Sequence, residues 1–186
     1  MVNIERNGTV NSGSVPNENL LVNSHVHVDT ESYNMHQWAY STPPTDGETY
    51  TLQIKGKLGD GKAAWGIYNS GGTGGASSPR VIGTTGNSNY LTPNLYDETT
   101  GIYTAELLWQ SGTPGNTFLR IYQMPNSVTA ESEIEWIKLE KGALPTPWVA
   151  SDQDEDYLKY NTGFTEERNM VKIHDDYIDT REIIEY

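Results

Sequence analysis

The sequence predicts an all-β protein, an antiparallel two-sheet β-sandwich. Short runs in which apolar and polar side chains alternate recur along the chain, as in strands that bury one face. Clusters of Gly, Pro, Asn and Asp separate these runs, and no long stretch repeats apolar residues at the period of a helix. Strands at short, regular spacing with turn signals between them are typical of a sandwich.

Three segments of different character divide the 186 residues. Residues 1–18 are polar and punctuated by glycine and proline, which predicts an arm that is flexible unless it docks on a partner. Residues 19–150 contain the alternating runs and are predicted to form one sandwich domain. Residues 151–186 form an acidic extension, in which Val171, Ile173 and other apolar side chains gain from burial.

The predicted strands of the first half begin at Leu20. Residues 20–28 alternate, with Leu20, Val22, Val26 and Val28 on one face. Residues 33–40 are predicted as a second strand. Residues 48–58 give the clearest strand, because Tyr50, Leu52 and Ile54 point one way. Gly59-Asp-Gly61 then predicts a hairpin turn, after which residues 62–68 run back.

Three further strands are predicted in the second half. Residues 101–109 and 116–124 alternate on either side of a glycine- and proline-containing turn at 111–115. Residues 134–139 alternate with one apolar step doubled at Trp136-Ile137, and we expect this segment to be a central or near-central strand. Trp65, Trp109 and Trp136 are assigned to the core.

Composition excludes several classes of partner. The net charge of −13 disfavours nucleic acid and anionic lipid, since no basic track would meet phosphates. The chain has no cysteine, so disulfide and thiol chemistry are excluded. It shows neither a membrane-length apolar stretch nor a signal peptide at Met1. We therefore expect a soluble protein that is made inside a cell, without classical secretion.

The closing segment of the predicted domain carries a family resemblance. The run WIKLEKG at 136–142 is followed by Thr146-Pro-Trp148, and NLLVN at 19–23 stands near the start. In this order the two motifs resemble the last and first strands of carbohydrate-binding-module-like jelly rolls in bacteriophage tail and fibre proteins. The resemblance implies a virion protein that meets bacterial surface polysaccharide and other phage structural proteins, commonly as a homotrimer.

No motif predicts an enzyme or a metal centre. The chain lacks a serine elbow and an H-E-x-x-H motif, which argues against hydrolysis. His25-x-His27 with Asp29 could in principle grip a metal, but spacing places no fourth ligand, so two solvated or hydrogen-bonding histidines are favoured. Residues 152–156 mimic an EF-hand start, yet Tyr157 stands where the turn glycine belongs.

Sugar binding is better supported by the aromatic residues. A carbohydrate site presents aromatic faces to the C–H patches of a pyranose, beside planar polar groups. Five Trp and twelve Tyr outnumber two Phe, so most aromatic side chains carry a polar O–H or N–H group. The predicted strand phases place the following candidate carbohydrate-binding residues off the core face: Trp38, Tyr40, Gln53, Tyr68, Arg120, Tyr122 and Gln123.

Two functional hypotheses follow. The first is a non-catalytic phage tail or fibre protein that binds bacterial surface glycan through an aromatic-lined groove of the sandwich. The second is a structural capsid or tail decoration protein without a sugar-binding role. We expect residues 157–186 to order against other copies, around a threefold axis, and without a coiled coil because no heptad run exists. The alternative is a tail that folds back on its own domain in a monomer.

Overall fold

The computed structural model describes residues 16–69, 79–84, 88–110 and 117–154, and the backbone of two short strands beyond them. The strands are β1 (Val28–Thr30), β2 (Asn34–Ala39), β3 (Thr49–Lys57), β4 (Ala64–Asn69), β5 (Arg80–Val81), β6 (Tyr90–Leu91), β7 (Tyr96–Asp97), β8 (Ile102–Leu108), β9 (Phe118–Met124), β10 (Ser132–Lys141), β11 (Ile173–His174) and β12 (Tyr177–Ile178). A 3-10 turn, Pro93–Leu95, precedes β7.

Two antiparallel sheets pack face to face, which confirms the predicted sandwich. The six-stranded sheet has the order β1-β10-β3-β8-β5, with β7 also paired to β8; the four-stranded sheet has the order β2-β9-β4-β6. Strands β1 to β6 alternate between the two sheets along the chain. Strand β10 lies between β1 and β3, as expected for residues 134–139.

This alternation overturns the predicted hairpins. Strand β3 belongs to the six-stranded sheet and β4 to the four-stranded sheet, so the Gly59–Gly61 turn carries the chain across the sandwich. Gly61 has φ +78°, which glycine adopts without strain. The adjacent Lys62 ammonium donates to the carbonyls of Pro125 (3.1 Å) and Val128 (2.5 Å) and fixes the turn to the opposite layer. Strands β8 and β9 likewise lie in different sheets.

The core fills the space between the sheets. Trp65 and Trp109 are fully buried, as predicted. Their rings meet tyrosines edge-to-face: Trp65 with Tyr103 at 5.9 Å, and Trp109 with Tyr50 at 5.5 Å between centroids. The fully buried leucine and isoleucine side chains of the core are Leu21, Leu52, Ile54, Ile67, Leu91, Leu107, Leu119, Ile121, Ile134, Ile137 and Leu139.

Trp136 is not a core residue, contrary to the prediction. The register of β10 against β3 shifts between Ile134 and Trp136, so Ile134 and Ile137 both face inward. Such a bulge adds one residue to a strand and turns the following side chains over. Trp136 is thereby half-buried on the outer face, with its ring 6.1 Å from that of Trp148.

The first predicted strand is also wrong over most of its length. Leu21 forms an isolated bridge with Tyr40, residues 22–25 turn, and regular pairing begins only at Val28. Asn23 has φ 56°, a conformation that Asn tolerates better than most residues. The segment nevertheless joins both sheets: Leu20 donates its N–H to the Leu139 carbonyl at 2.8 Å, and Val22 donates to that of Ala39 at 3.0 Å.

Asn19, the first residue of the NLLVN motif, is fully buried and its side-chain amide bridges several segments of the domain. Its Nδ2 donates to the carbonyls of Ile137 (3.2 Å) and Val149 (3.1 Å) and to Ser24 Oγ (2.8 Å). Its Oδ1 accepts from the N–H groups of Leu21 and Leu139, both at 3.2 Å. One amide group therefore ties the start and the end of the domain to β10.

Packing against the sandwich continues to Asp154. Ser151 and Asp154 are buried, and Asp154 Oδ1 accepts the Asn23 N–H at 2.6 Å. The predicted arm, residues 1–18, lies outside the described residues except for 16–18. The predicted assembly of residues 157–186 also lies outside them, except for the backbone of the β11–β12 pair. No helix in the described part of the chain has the length and apolar character needed to cross a membrane.

Candidate functional site

Four tyrosines cluster on the outer face of the four-stranded sheet. The ring of Tyr122 lies 4.9 Å from that of Tyr33 and 5.0 Å from that of Tyr68, the second pair being edge-to-face at 80°. Tyr90 of β6 stands opposite Gly66 in the sheet register, and its hydroxyl interacts with that of Tyr68. We call these four rings, with Arg120 and Gln37 beside them, the tyrosine face.

The alternation of β9 creates this face. Leu119 and Ile121 are buried in the core, so Arg120 and Tyr122 project from the opposite side of the sheet. Arg120 pairs with Tyr68 of β4, and Tyr122 pairs with Gly66.

Gly66 makes room for the rings at the centre of the face. It stands between Tyr122 of β9 and Tyr90 of β6 in the sheet register. A Cβ atom built at Gly66 would lie 3.1 Å from Cε2 of Tyr68 and 3.5 Å from Cβ of Tyr122. The missing side chain thus lets the tyrosine rings settle closely over the strand.

Arg120 and Gln37 supply the polar edge of the face. Nη2 of Arg120 donates to Oε1 of Gln37 at 2.8 Å, and Nη1 donates to the hydroxyl of Tyr122 at 3.4 Å. Gln37 is exposed and Arg120 half-buried. A planar guanidinium and a planar amide are thereby held next to aromatic rings, an arrangement suited to hydrogen-bonding hydroxyl groups.

The hydroxyls of Tyr33 and Tyr90 remain protonated at neutral pH. Burial is the largest cause of a raised pKa for Tyr33, with smaller contributions from Tyr68 and Tyr122. The pKa of Tyr90 is also raised, chiefly by its hydrogen bond with Tyr68. Both phenols therefore act as neutral groups that can donate and accept hydrogen bonds.

Of the residues predicted from the sequence, Tyr68, Arg120 and Tyr122 meet on this face. Trp38 and Tyr40 do not, because both are buried. The register of β2 against β9 shifts between Asn34 and His36, and this irregularity reverses the predicted strand phase. The expectation that the two rings lie off the core is wrong.

Gln123 and Gln53 also lie away from the tyrosine face. Gln123 is fully buried; its Nε2 donates to the carbonyls of Thr30 (2.9 Å) and Ser32 (2.8 Å), and its Oε1 accepts from Ser132 Oγ at 2.7 Å. It therefore links the two sheets. Gln53 is largely buried on β3, in the six-stranded sheet.

Sequence reasoning missed Tyr33, Tyr90 and Gln37, although the sequence contains a signal for them. Acidic residues are absent from 32–45, 61–96 and 107–130. These three windows contain all four strands of the four-stranded sheet. In so acidic a chain, they mark the segments that share one surface without carboxylates.

The histidine pair does not converge on a metal. His25 Nδ1 lies 3.6 Å from Asp154 Oδ2, whereas His27 Nε2 lies 3.4 Å from Glu133 Oε1. Across the described ranges there is no group of three or more His, Cys, Asp or Glu side chains placed to hold a metal ion.

A cleft of about 470 Å³ lies elsewhere, beside the Glu48–Lys141 ion pair. Its walls include Glu18, Thr42 and Pro43, while the ring of Tyr50 is only 3% exposed. The cleft offers no open aromatic surface on which a sugar ring could stack. The tyrosine face is therefore the better candidate for a binding site.

Comparison of the chain with protein-family models, with curated proteins and with solved structures found no match. The fold class is therefore assigned from the sheet topology, and the candidate site from the side chains of the tyrosine face.

Proposed function

We propose that this protein is a non-catalytic carbohydrate-binding module that binds glycan on the tyrosine face. The supporting observation is the contact of Tyr122 with both Tyr33 and Tyr68, next to Arg120. Tyrosine combines an apolar ring for pyranose C–H groups with a hydroxyl for sugar oxygens. The neighbouring guanidinium and Gln37 amide add directed hydrogen bonds, which fix the orientation of a ligand.

A binding role rather than hydrolysis is supported by the residues of the four-stranded sheet. Glycosidases typically place two carboxyl groups across the scissile bond. The strands β2, β4, β6 and β9 contain neither Asp nor Glu. The side chains of the face can hold a sugar, but these strands offer no carboxylate pair to cleave it.

The resemblance to phage tail and fibre jelly rolls suggests where such a module acts. On this proposal the protein belongs to a virion and meets polysaccharide on a bacterial surface, with other virion proteins and sister copies as partners. A single shallow face binds a sugar weakly, because sugar–protein hydrogen bonds replace sugar–water bonds at small net gain. Several linked copies would raise avidity by about 10²–10⁴.

A glycan array with the full-length chain tests the proposal. We expect binding that falls to background in Tyr122→Ala and in Tyr68→Ala, because each change removes a ring from the cluster. Tyr96→Ala is the matched control, since this half-buried tyrosine lies on the six-stranded sheet. Absence of binding to bacterial polysaccharides, or equal loss in all three variants, would contradict a sugar site on this face.

A further inference from the structure

The charge of the four-stranded sheet differs from that of the rest of the protein. The chain has 25 acidic and 12 basic residues, yet Arg120 is the only Asp, Glu, Lys or Arg in the described strands β2, β4, β6 and β9. The six-stranded sheet, by contrast, includes Glu106, Glu133, Glu135 and Glu140. One side of an acidic protein is thus locally cationic.

Arg120 has no acidic partner among the described side chains. Its hydrogen bonds run to the neutral groups of Gln37 and Tyr122. Two lysines of the six-stranded sheet are paired with carboxylates: Lys55 lies 2.8 Å from Glu135, and Lys141 lies 2.8 Å from Glu48. The charge of Arg120 is therefore available to a ligand.

The donor geometry of Arg120 favours a planar or multivalent anion. A guanidinium has five N–H donors in a fixed fork. Nε is buried, and the two terminal nitrogens each use one N–H, on Gln37 and Tyr122. Each terminal nitrogen keeps a second N–H, and two such donors match a carboxylate or phosphate group.

We propose that the ligand of the tyrosine face is an acidic glycan, whose carboxylate or phosphate group binds Arg120 while its pyranose rings pack on Tyr68 and Tyr122. This inference rests on the proposed carbohydrate-binding function. It adds that the ligand carries negative charge, although the protein has a net charge of −13.

The locally acid-free surface resolves this apparent conflict of charges. At physiological ionic strength, charges separated by more than about 8 Å are largely screened. A bound anion therefore responds mainly to the groups nearest to it, which here are Arg120 and neutral side chains. His36 is the other side chain of these strands that can carry a positive charge. Desolvation lowers its pKa, so its imidazole is neutral at neutral pH. Selection for the anion thus depends on Arg120.

The test measures full-length protein against matched pairs of immobilised oligosaccharides. One arm uses oligogalacturonides and the same oligosaccharides after chemical reduction of their carboxyl groups. A second arm uses a phosphodiester-linked teichoic acid and its dephosphorylated product. Each pair is measured with wild type, Arg120→Gln and the control Lys57→Gln, which removes an exposed charge from the other sheet. Glycan-array ligands of the wild type are treated in the same way.

We expect the charged member of a pair to bind more tightly, and Arg120→Gln to weaken it roughly 10- to 100-fold, the range for losing charged hydrogen bonds. Affinity should fall with added salt, and Lys57→Gln should leave it unchanged. Preference within the first or second arm identifies carboxylate or phosphate as the group recognised.

Three other outcomes separate the hypotheses. Binding of neutral glycans that is lost in Tyr122→Ala but unchanged in Arg120→Gln would overturn the acidic ligand and leave the carbohydrate-binding function standing. Absence of glycan binding on the array and in both arms would overturn both. Equal loss in Arg120→Gln and Lys57→Gln would show non-specific charge attraction and reject the assigned contact.

Discussion

Nζ of Lys138 lies 3.1 Å from Oε2 of Glu140, and neither side chain is exposed to solvent. The ammonium also donates to Thr146 Oγ1 at 2.6 Å and to the Pro147 carbonyl at 2.8 Å. Oε1 of Glu140 accepts the Thr146 N–H at 2.8 Å. The WIKLEKG and Thr-Pro motifs thus meet in one buried polar cluster, which anchors the chain after β10.

We predict that Lys138→Met lowers the free energy of unfolding by roughly 3–5 kcal/mol, because it leaves a buried carboxylate without its charged partner. Burial lowers the pKa of Lys138, whereas the hydrogen bond and charge of Glu140 oppose that change. The double variant Lys138→Met/Glu140→Met should lose less than the sum of the two single variants.

Urea denaturation of the four proteins measures this coupling. Lys55→Met is the control, since its ion pair with Glu135 is exposed and is expected to contribute less than about 1 kcal/mol. Strict additivity, or equal losses for Lys138→Met and Lys55→Met, would refute the buried-pair prediction.

Leu139→Ala should destabilise the protein by roughly 2–5 kcal/mol, because it empties a fully buried site. Trp136→Ala should cost less, since Trp136 is half-buried on the outer face, with its ring 6.1 Å from that of Trp148. Equilibrium denaturation of both variants checks the order. A larger loss for Trp136 would place its ring in the core and contradict the bulge in β10.

Gly66→Ala and Gly56→Ala should separate binding from stability. At Gly66 the new Cβ would meet the ring of Tyr68 at 3.1 Å, so we expect that ring to move and glycan binding to weaken. At Gly56 it would meet the Glu133 carbonyl oxygen at 2.1 Å, which should cost at least about 1–3 kcal/mol as overpacking.

Glycan binding and the urea midpoint are compared for both proteins. Gly66→Ala should mainly reduce binding, and Gly56→Ala should mainly lower the midpoint. The opposite pattern would show that Gly66 does not shape the tyrosine face.

Glu48 should make stability pH-dependent. The hydrogen bond from Lys141 is the largest cause of a Glu48 pKa below the usual 4.5, and the hydrogen bond from Tyr50 is the next largest. A lowered carboxyl pKa stabilises the folded state above the unfolded value, and this stabilisation is lost as pH falls through the folded pKa. The stability difference between wild type and Glu48→Gln should therefore be larger at pH 7 than at pH 3.

Chemical denaturation at both pH values measures that difference. In a Lys141→Met background the effect of Glu48→Gln at pH 7 should shrink, because the largest cause of the lowered pKa is removed. A difference that grows towards pH 3 would reverse the predicted sign.

Regular strands were predictable from the sequence because alternation reports burial directly. Tyr50, Leu52 and Ile54 are all buried, as their spacing in β3 predicts. Alternation fails where a bulge adds a residue, which is why Trp38 and Trp136 were assigned to the wrong faces. The doubled apolar step at Trp136-Ile137 is the visible trace of the second bulge.

Turn chemistry predicted where strands end but not which sheet the chain enters next. Gly61 supports a tight turn equally well within one sheet and between two. The deciding contacts, such as Lys62 with the Pro125 and Val128 carbonyls, join residues far apart in sequence. Tyr33 and Tyr90 were missed for the same reason. They are far from Tyr68 and Tyr122 in sequence and come close to them only when the strands pair.

Asn19 joins the beginning of the sandwich to its end, so the domain is suited to insertion into another protein. Domains whose ends lie together tolerate insertion into a host loop and circular permutation. A linker that joins Asp154 to Asn17 would close the domain into a ring. New ends opened at the Asp60-Gly61 turn would then leave the tyrosine face on an unbroken set of strands, ready to be displayed on another scaffold.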